Sequence, residues 1–140
     1  MKKSILLIAL TAIGTLSTLK AQDTSSLTVT ITNIKTQEGV IRIGLYNDEA
    51  TYLKKIVQSK KPEANATSVT VTFNDLPKGD YGISLYHDED RNGELNTNFI
   101  GIPSEPYAFS NNATGMFGPA KWEDVKFTVG DTPTVQSITL

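Results

Sequence analysis

The chain has 140 residues, a formal net charge of −2 and no cysteine. Zero Cys excludes disulfides, thiolate nucleophiles, Cys-ligated zinc and iron–sulfur clusters, so stability must come from packing. A mildly acidic balance disfavours nucleic acid and anionic membrane surfaces as partners.

The first element is an export leader. Lys2 and Lys3 supply a positive start, Ile5 to Ile13 a short apolar core, and a polar, small-residue stretch leads to Ala21, where cleavage is expected. The apolar run is shorter than the roughly 20 residues of a transmembrane helix, so no membrane insertion is expected after processing. No Cys borders the cleavage site, which argues against a lipid anchor. Residues 1–21 are thus read as a signal peptide and 22–140 as one domain. Processing removes Lys2, Lys3 and Lys20 and takes the net charge to −5 over 119 residues, a length suited to a single core. The expected location is secreted, periplasmic or elsewhere in the cell envelope, and the expected state a monomer.

Beyond the leader, apolar residues alternate with polar ones at period two, the mark of strands with one buried face. Leu27, Val29 and Ile31 share one face, followed by Ile41, Ile43 and Leu45, then Val69, Val71 and Phe73. Tyr81, Ile83 and Leu85 follow with His87 on the same parity, then Val125, Phe127 and Val129, and last Ile138 and Leu140. Pro77 and Gly79 supply a tight reversal between two of these runs. Between Asn47 and Gln58 the spacing predicts one short helix, with Asn47 or Asp48 as cap and Tyr52, Leu53, Ile56 and Val57 inward. Lys60 to Ser68 is a polar connector. The fold class expected is all-β: an antiparallel sandwich of about seven strands with one short helix and one long ordered loop.

That loop runs from Asp88 to Glu123. It is rich in Gly, Pro and Asn, yet Phe99, Tyr107, Phe109, Phe117 and Trp122 give it apolar surface with which to fold back on the sandwich. Tyr107, Phe109 and Trp122 are a candidate binding surface for a protein or glycan ligand outside the cell or in its envelope; the alternative is that they fasten the loop to the core.

The start of the loop carries the chemistry. Asp88, Asp90, Asn92 and Gly93 stand at positions 1, 3, 5 and 6 of an EF-hand-type calcium loop, where side-chain oxygens converge on a hard cation and Gly permits the turn. Glu94 falls at position 7, which contributes a backbone carbonyl, and Asn96 at position 9. Position 12, normally a bidentate Glu, is Phe99. Glu105, returning from further along, is the candidate closing ligand, with Asn98 or water as alternatives. The cofactor expected is Ca2+, bound in the weak extracellular range of about 10⁻⁴ to 10⁻³ M. The competing reading is a solvated turn, since Asn-Gly and Asx residues favour tight turns.

His87 is the lone histidine. It reads as a brace donating to a loop carbonyl or to Glu105 rather than as an acid–base catalyst, and no carboxylate pair is singled out for glycoside hydrolysis. The Asn-Ala-Thr matches at Asn65 and Asn112 read as chance. The chain is therefore expected not to be an enzyme. The leading reading is an exported binding module with a calcium-ordered surface; a purely structural or interaction protein of the envelope without metal is the alternative, and a hydrolase a distant third.

Taken together, LPKGDY (Leu76 to Tyr81), HDEDRNGELNTN (His87 to Asn98), GIPSEPYAFSN (Gly101 to Asn111) and GPAKWEDVKF (Gly118 to Phe127) resemble the secreted bacterial family known as domain of unknown function 2141. The resemblance covers nearly the whole mature chain. It implies a prealbumin- or transthyretin-like sandwich exported by bacteria, and no established activity.

Overall fold

A computed structural model describes residues 23–140; the expected leader, residues 1 to 21, lies outside them. The alternating segments form strands β1 (Thr24–Thr32), β2 (Val40–Tyr46), β3 (Gln58–Lys60), β4 (Val69–Pro77), β5 (Gly79–Asp88), β6 (Tyr107–Phe109), β7 (Phe127–Val129) and β8 (Thr134–Thr139), with one four-residue helix, α1 (Trp122–Val125). They build two sheets, one in the order β4-β1-β8 and the other β3-β2-β5-β6, with β7 also pairing the start of β5. All pairings are antiparallel except β1 with β8, which run parallel. The all-β sandwich read from the sequence is the fold.

Strand parity explains what is inside. Leu27, Val29 and Ile31 of β1, Phe73 and Leu76 of β4 and Ile138 of β8 meet Ile41, Ile43, Leu45, Ile83 and Leu85 of the second sheet in one core. Each such side chain contributes about 1.5–3 kcal/mol on burial, the main favourable term open to a chain without cross-links.

Pleating turns the intervening residues of β2 and β5 outward. The register sets Tyr46 opposite Gly82, Gly44 opposite Ser84, Arg42 opposite Tyr86 and Val40 opposite Asp88. This outer face is covered rather than solvated. Trp122 and Val125 press onto Gly82, where a Cβ would lie 2.9 Å from both side chains, and Tyr46, Phe109 and Ala120 complete a second apolar cluster. Ser110 ties this cover down. It fills the gap on the edge of β5 between β7 and β6, its hydroxyl accepting from the buried Ile83 N–H at 2.9 Å and donating to the Val125 carbonyl.

The helix expected between Asn47 and Gln58 is instead one 3₁₀ turn, Glu49–Thr51, whose first turn Asp48 caps by accepting from the Thr51 N–H. Leu53 then takes a positive φ of 58°, and the Val57 N–H donates to the Leu45 carbonyl as the chain becomes edge strand β3. Pairing with β2 overrides local helical preference, since tertiary context outweighs a few tenths of a kcal/mol per residue. Of the four expected inward residues Tyr52 packs closely, its ring edge-on to Tyr46 and tilted on Trp122; Ile56 lies over Gly44 yet stays half exposed, and Leu53 and Val57 are exposed.

Gly82→Ala should lower unfolding stability by about 1–3 kcal/mol through overpacking against Trp122, whereas Gly130→Ala, where a Cβ meets nothing within 4 Å, should stay within about 0.5 kcal/mol; equal urea midpoints for the two would contradict the covered face. Ser110→Ala should cost about 1–3 kcal/mol, because the buried Ile83 N–H loses its acceptor. The same denaturation series measures it.

Candidate functional site

The covered outer face ends at Asp88, and there the acidic loop begins. Asp88 closes β5 on the outward parity, and its carboxylate is fully buried. Gly39, at φ +71°, lets the turn between β1 and β2 press against it: a Cβ on Gly39 would lie 2.2 Å from the Asp88 carbonyl oxygen. Asp88 Oδ2 accepts from Arg42 Nε at 2.6 Å and from the Gly93 N–H at 3.0 Å. Oδ1 is buried with no hydrogen-bond partner among the described residues.

Gly93 reaches Asp88 because φ +84° folds the chain back, a conformation that costs Gly little. Its carbonyl accepts from the Tyr86 hydroxyl at 2.9 Å. Asp90 Oδ1 accepts from the Asn92 N–H at 3.1 Å, and Asn92 Oδ1 from the Glu94 N–H at 2.9 Å, two successive Asx turns of the kind the Asp and Asn spacing favours. Asn96 gathers the pieces: its Nδ2 donates to Asp90 Oδ2 at 2.7 Å and its Oδ1 accepts from Asn92 Nδ2.

Glu105 arrives from sixteen residues beyond Glu89 and is buried. Its two oxygens accept from the backbone N–H groups of Glu89 and Asn96, each at 3.0 Å. One carboxylate oxygen from each of Asp88, Asp90 and Glu105 lies within 4.8 Å of the others. Glu94 is not part of this group. Phe99, at the loop position where a bidentate Glu would close a calcium shell, is fully exposed, and Asn98 instead accepts from the N–H groups of Ile100 and Ile102 at a hairpin tip.

Burial works to raise the Asp88 carboxyl, but the Arg42 hydrogen bond, the Gly93 amide and the Arg42 charge outweigh it and hold the group below its ordinary value. A carboxyl depressed in the folded state contributes stability that is present above its unfolded pKa and lost as pH falls through the folded one. The Arg42–Asp88 pair therefore secures the loop at neutral pH and releases it in acid.

His87 faces the core side, almost fully buried, with Nε2 donating to the Glu38 carbonyl at 2.6 Å and its backbone N–H donating to the Pro106 carbonyl at 2.8 Å. It joins the turn between β1 and β2 to the returning loop. Of the two partners expected for the ring, a loop carbonyl or Glu105, it takes the loop carbonyl of Glu38.

The residues that flank the acids also wall a groove of about 750 Å³ on the outer face, within the size range of ligand pockets. Leu95 and Thr97 line it while Asn96 between them turns to Asp90, and Pro103 lines it two residues before Glu105, so one loop layer has an acidic side and an apolar side. Tyr107, Phe109 and Phe117 contribute aromatic surface there. The candidate aromatic platform is thereby corrected: Trp122 and Phe109 are 8% and 5% exposed, held under the cover of β5, and only Tyr107, at 46%, stands open beside the loop. Sequence reading missed Arg42. Its signal was a lone charge on the outward parity of β2, where the neighbouring outward positions are Gly44 and Tyr46.

Comparison with known proteins returns one assignment. No curated protein and no solved structure gives a significant match. The profile of a family described as "Uncharacterized protein conserved in bacteria (DUF2141)" matches residues 29–137, from within β1 to within β8 and through the entire acidic loop. The chain belongs to this family.

Proposed function

We propose that the protein is an exported, non-enzymatic binding module in which Ca2+ at Asp88, Asp90 and Glu105 orders the loop layer that walls the groove. The observation that carries this reading is the buried, unpartnered Oδ1 of Asp88 next to two further carboxylates. A buried polar atom left without a partner costs about 1–3 kcal/mol, and three converging carboxylates repel one another unless a cation or donors offset them. Ca2+ satisfies both conditions, with Asn92, Asn96, the Glu94 carbonyl and water as the further oxygens such a loop supplies. Glu105 takes the closing place that Phe99 leaves open. Because Asn96 and Glu105 bracket the hairpin carrying Ile100 and Ile102, fixing the acids fixes that wall of the groove, against which an extracellular or envelope ligand, protein or glycan, docks.

One set of observations favours a second reading, a metal-free structural or interaction protein of the envelope. Arg42 already neutralises Asp88, and every other oxygen of the three carboxylates accepts a hydrogen bond. On that reading the loop is a self-contained brace.

A thermal melt distinguishes the two. A ligand that binds only the folded state at ten times its Kd adds about 1.4 kcal/mol, which raises Tm by a few degrees for a domain of this size. Asp90→Ala and Glu105→Gln should each abolish the calcium-dependent rise. Glu94→Gln should retain it, since the seventh position offers its backbone carbonyl. No rise with millimolar Ca2+ in the wild type would leave the brace reading standing.

Export rests on the charged, apolar leader ending at Ala21. Mass spectrometry of protein produced in a bacterial host should find Gln22 at the N-terminus outside the cytoplasm. An intact Met1 form confined to the cytoplasm would overturn the localisation.

A further inference from the structure

The chain contains a single Asn-Gly pair, Asn92–Gly93, and both residues are exposed. Asn followed by Gly is the most labile peptide link of the common residues, because a nitrogen whose own residue has no Cβ reaches the preceding side-chain carbonyl carbon without hindrance. Here every group needed for that reaction is held elsewhere. The Gly93 N–H, which must lose its proton to become the nucleophile, donates to Asp88 Oδ2, and a neighbouring carboxylate disfavours the amide anion. Asn92 Oδ1 accepts from the Glu94 N–H, and Asn92 Nδ2, the leaving nitrogen, donates to Asn96 Oδ1.

We propose that Asn92 is a latent deamidation site that the loop's own hydrogen bonds keep shut, so that loss of loop order is recorded as an irreversible chemical change. When the loop opens, the Gly93 nitrogen gives its proton to solvent base and bonds to Asn92 Cγ. The bond from Cγ to the carboxamide nitrogen breaks as that nitrogen takes a proton back from solvent, ammonia leaves, and a five-membered succinimide remains. Water then opens the ring at either carbonyl, giving Asp or isoaspartate at position 92. No oxidant or reductant takes part. Either product alters the loop: Asp places a fresh negative charge at the fifth position, beside Asp88 and Asp90, and isoaspartate inserts an extra backbone carbon just before Gly93, carrying its N–H away from Asp88.

The test is an ageing experiment in chelator, which keeps it independent of bound calcium. Mature wild-type protein, the same protein in urea, and the variants Asp88→Ala and Asn96→Ala are incubated at mildly alkaline pH. Conversion at Asn92 is followed by peptide mass and by isoaspartyl methylation, and near-ultraviolet circular dichroism reports the fold. Folded wild type should convert at least about tenfold more slowly than the urea-unfolded chain, the factor set by a local opening free energy of about 1.4 kcal/mol. Folded Asn96→Ala, which frees the leaving nitrogen from a half-buried position, should convert several-fold faster than wild type. Asp88→Ala, which frees the nucleophile, should convert faster still; if it does not fold, Asn96→Ala decides alone. Equal rates for folded and unfolded wild type, or a folded Asn96→Ala that ages as slowly as wild type, would overturn the proposal.

Discussion

A carboxylate without access to water organises one end of this molecule. Asp88 is carried into the interior because β5 must run on to place His87 beneath the turn between β1 and β2, and because Gly39 lets that turn close over the strand end. A buried carboxylate is tolerated only when paired and hydrogen-bonded. Arg42 and the Gly93 amide meet that requirement at one oxygen, and meeting it forces the chain to double back at Gly93. From that reversal follow the two Asx turns, the placement of Asn96 and the docking of Glu105. The long loop is ordered from this end outward, although it holds little regular secondary structure.

The second constraint is steric. Gly44 and Gly82 leave the outer face of β2 and β5 bare of side chains where most sheets of this size would present polar ones to solvent. Ile56 lies over Gly44, and Trp122 and Val125 occupy the space at Gly82 in one cluster with Phe109, so the segment after the acidic loop packs as part of a third layer. The groove is the gap in this layer between the hairpin of Ile100 and Ile102 and the turn of Phe117. Acidic cluster and groove are therefore neighbours by construction: Leu95 and Thr97 line the groove on either side of Asn96, and Pro103 and Tyr107 line it on either side of Glu105.

Strand parity was open to reading because each strand of the sandwich has one face in the core, and alternation marks it directly: Leu27 to Ile31, Ile41 to Leu45 and Tyr81 to His87 lie as their sequence pattern demands. The acidic loop was equally open, since Asp88, Asp90, Asn92 and Gly93 act within six residues of one another and turn chemistry is local. Glu105 and Arg42 were harder. Both meet Asp88 through the tertiary fold, and only parity hinted at Arg42. The helix between Asn47 and Gln58 shrinks to the turn Glu49–Thr51 because periodicity cannot register that β2 needs an edge partner: Val57 already bonds to Leu45 and β3 begins at Gln58. Trp122 and Phe109 were ambiguous for a different reason: an aromatic residue in a loop serves equally as anchor or as contact surface, and for Trp122 the choice was made by Gly82, a residue forty positions away.

Calorimetric titration of the mature domain with Ca2+, and separately with Mg2+, addresses the central claim most directly. Oxygen donors on a loop that keeps some flexibility suit the larger ion, whereas Mg2+ demands near-ideal octahedral geometry and sheds its water reluctantly. The account predicts saturable Ca2+ binding at one site with Kd of about 10⁻⁴ to 10⁻³ M and much weaker binding of Mg2+. Heat of dilution alone for both ions, in a domain shown to be folded, would contradict it and leave Asp88, Asp90 and Glu105 as a metal-free brace.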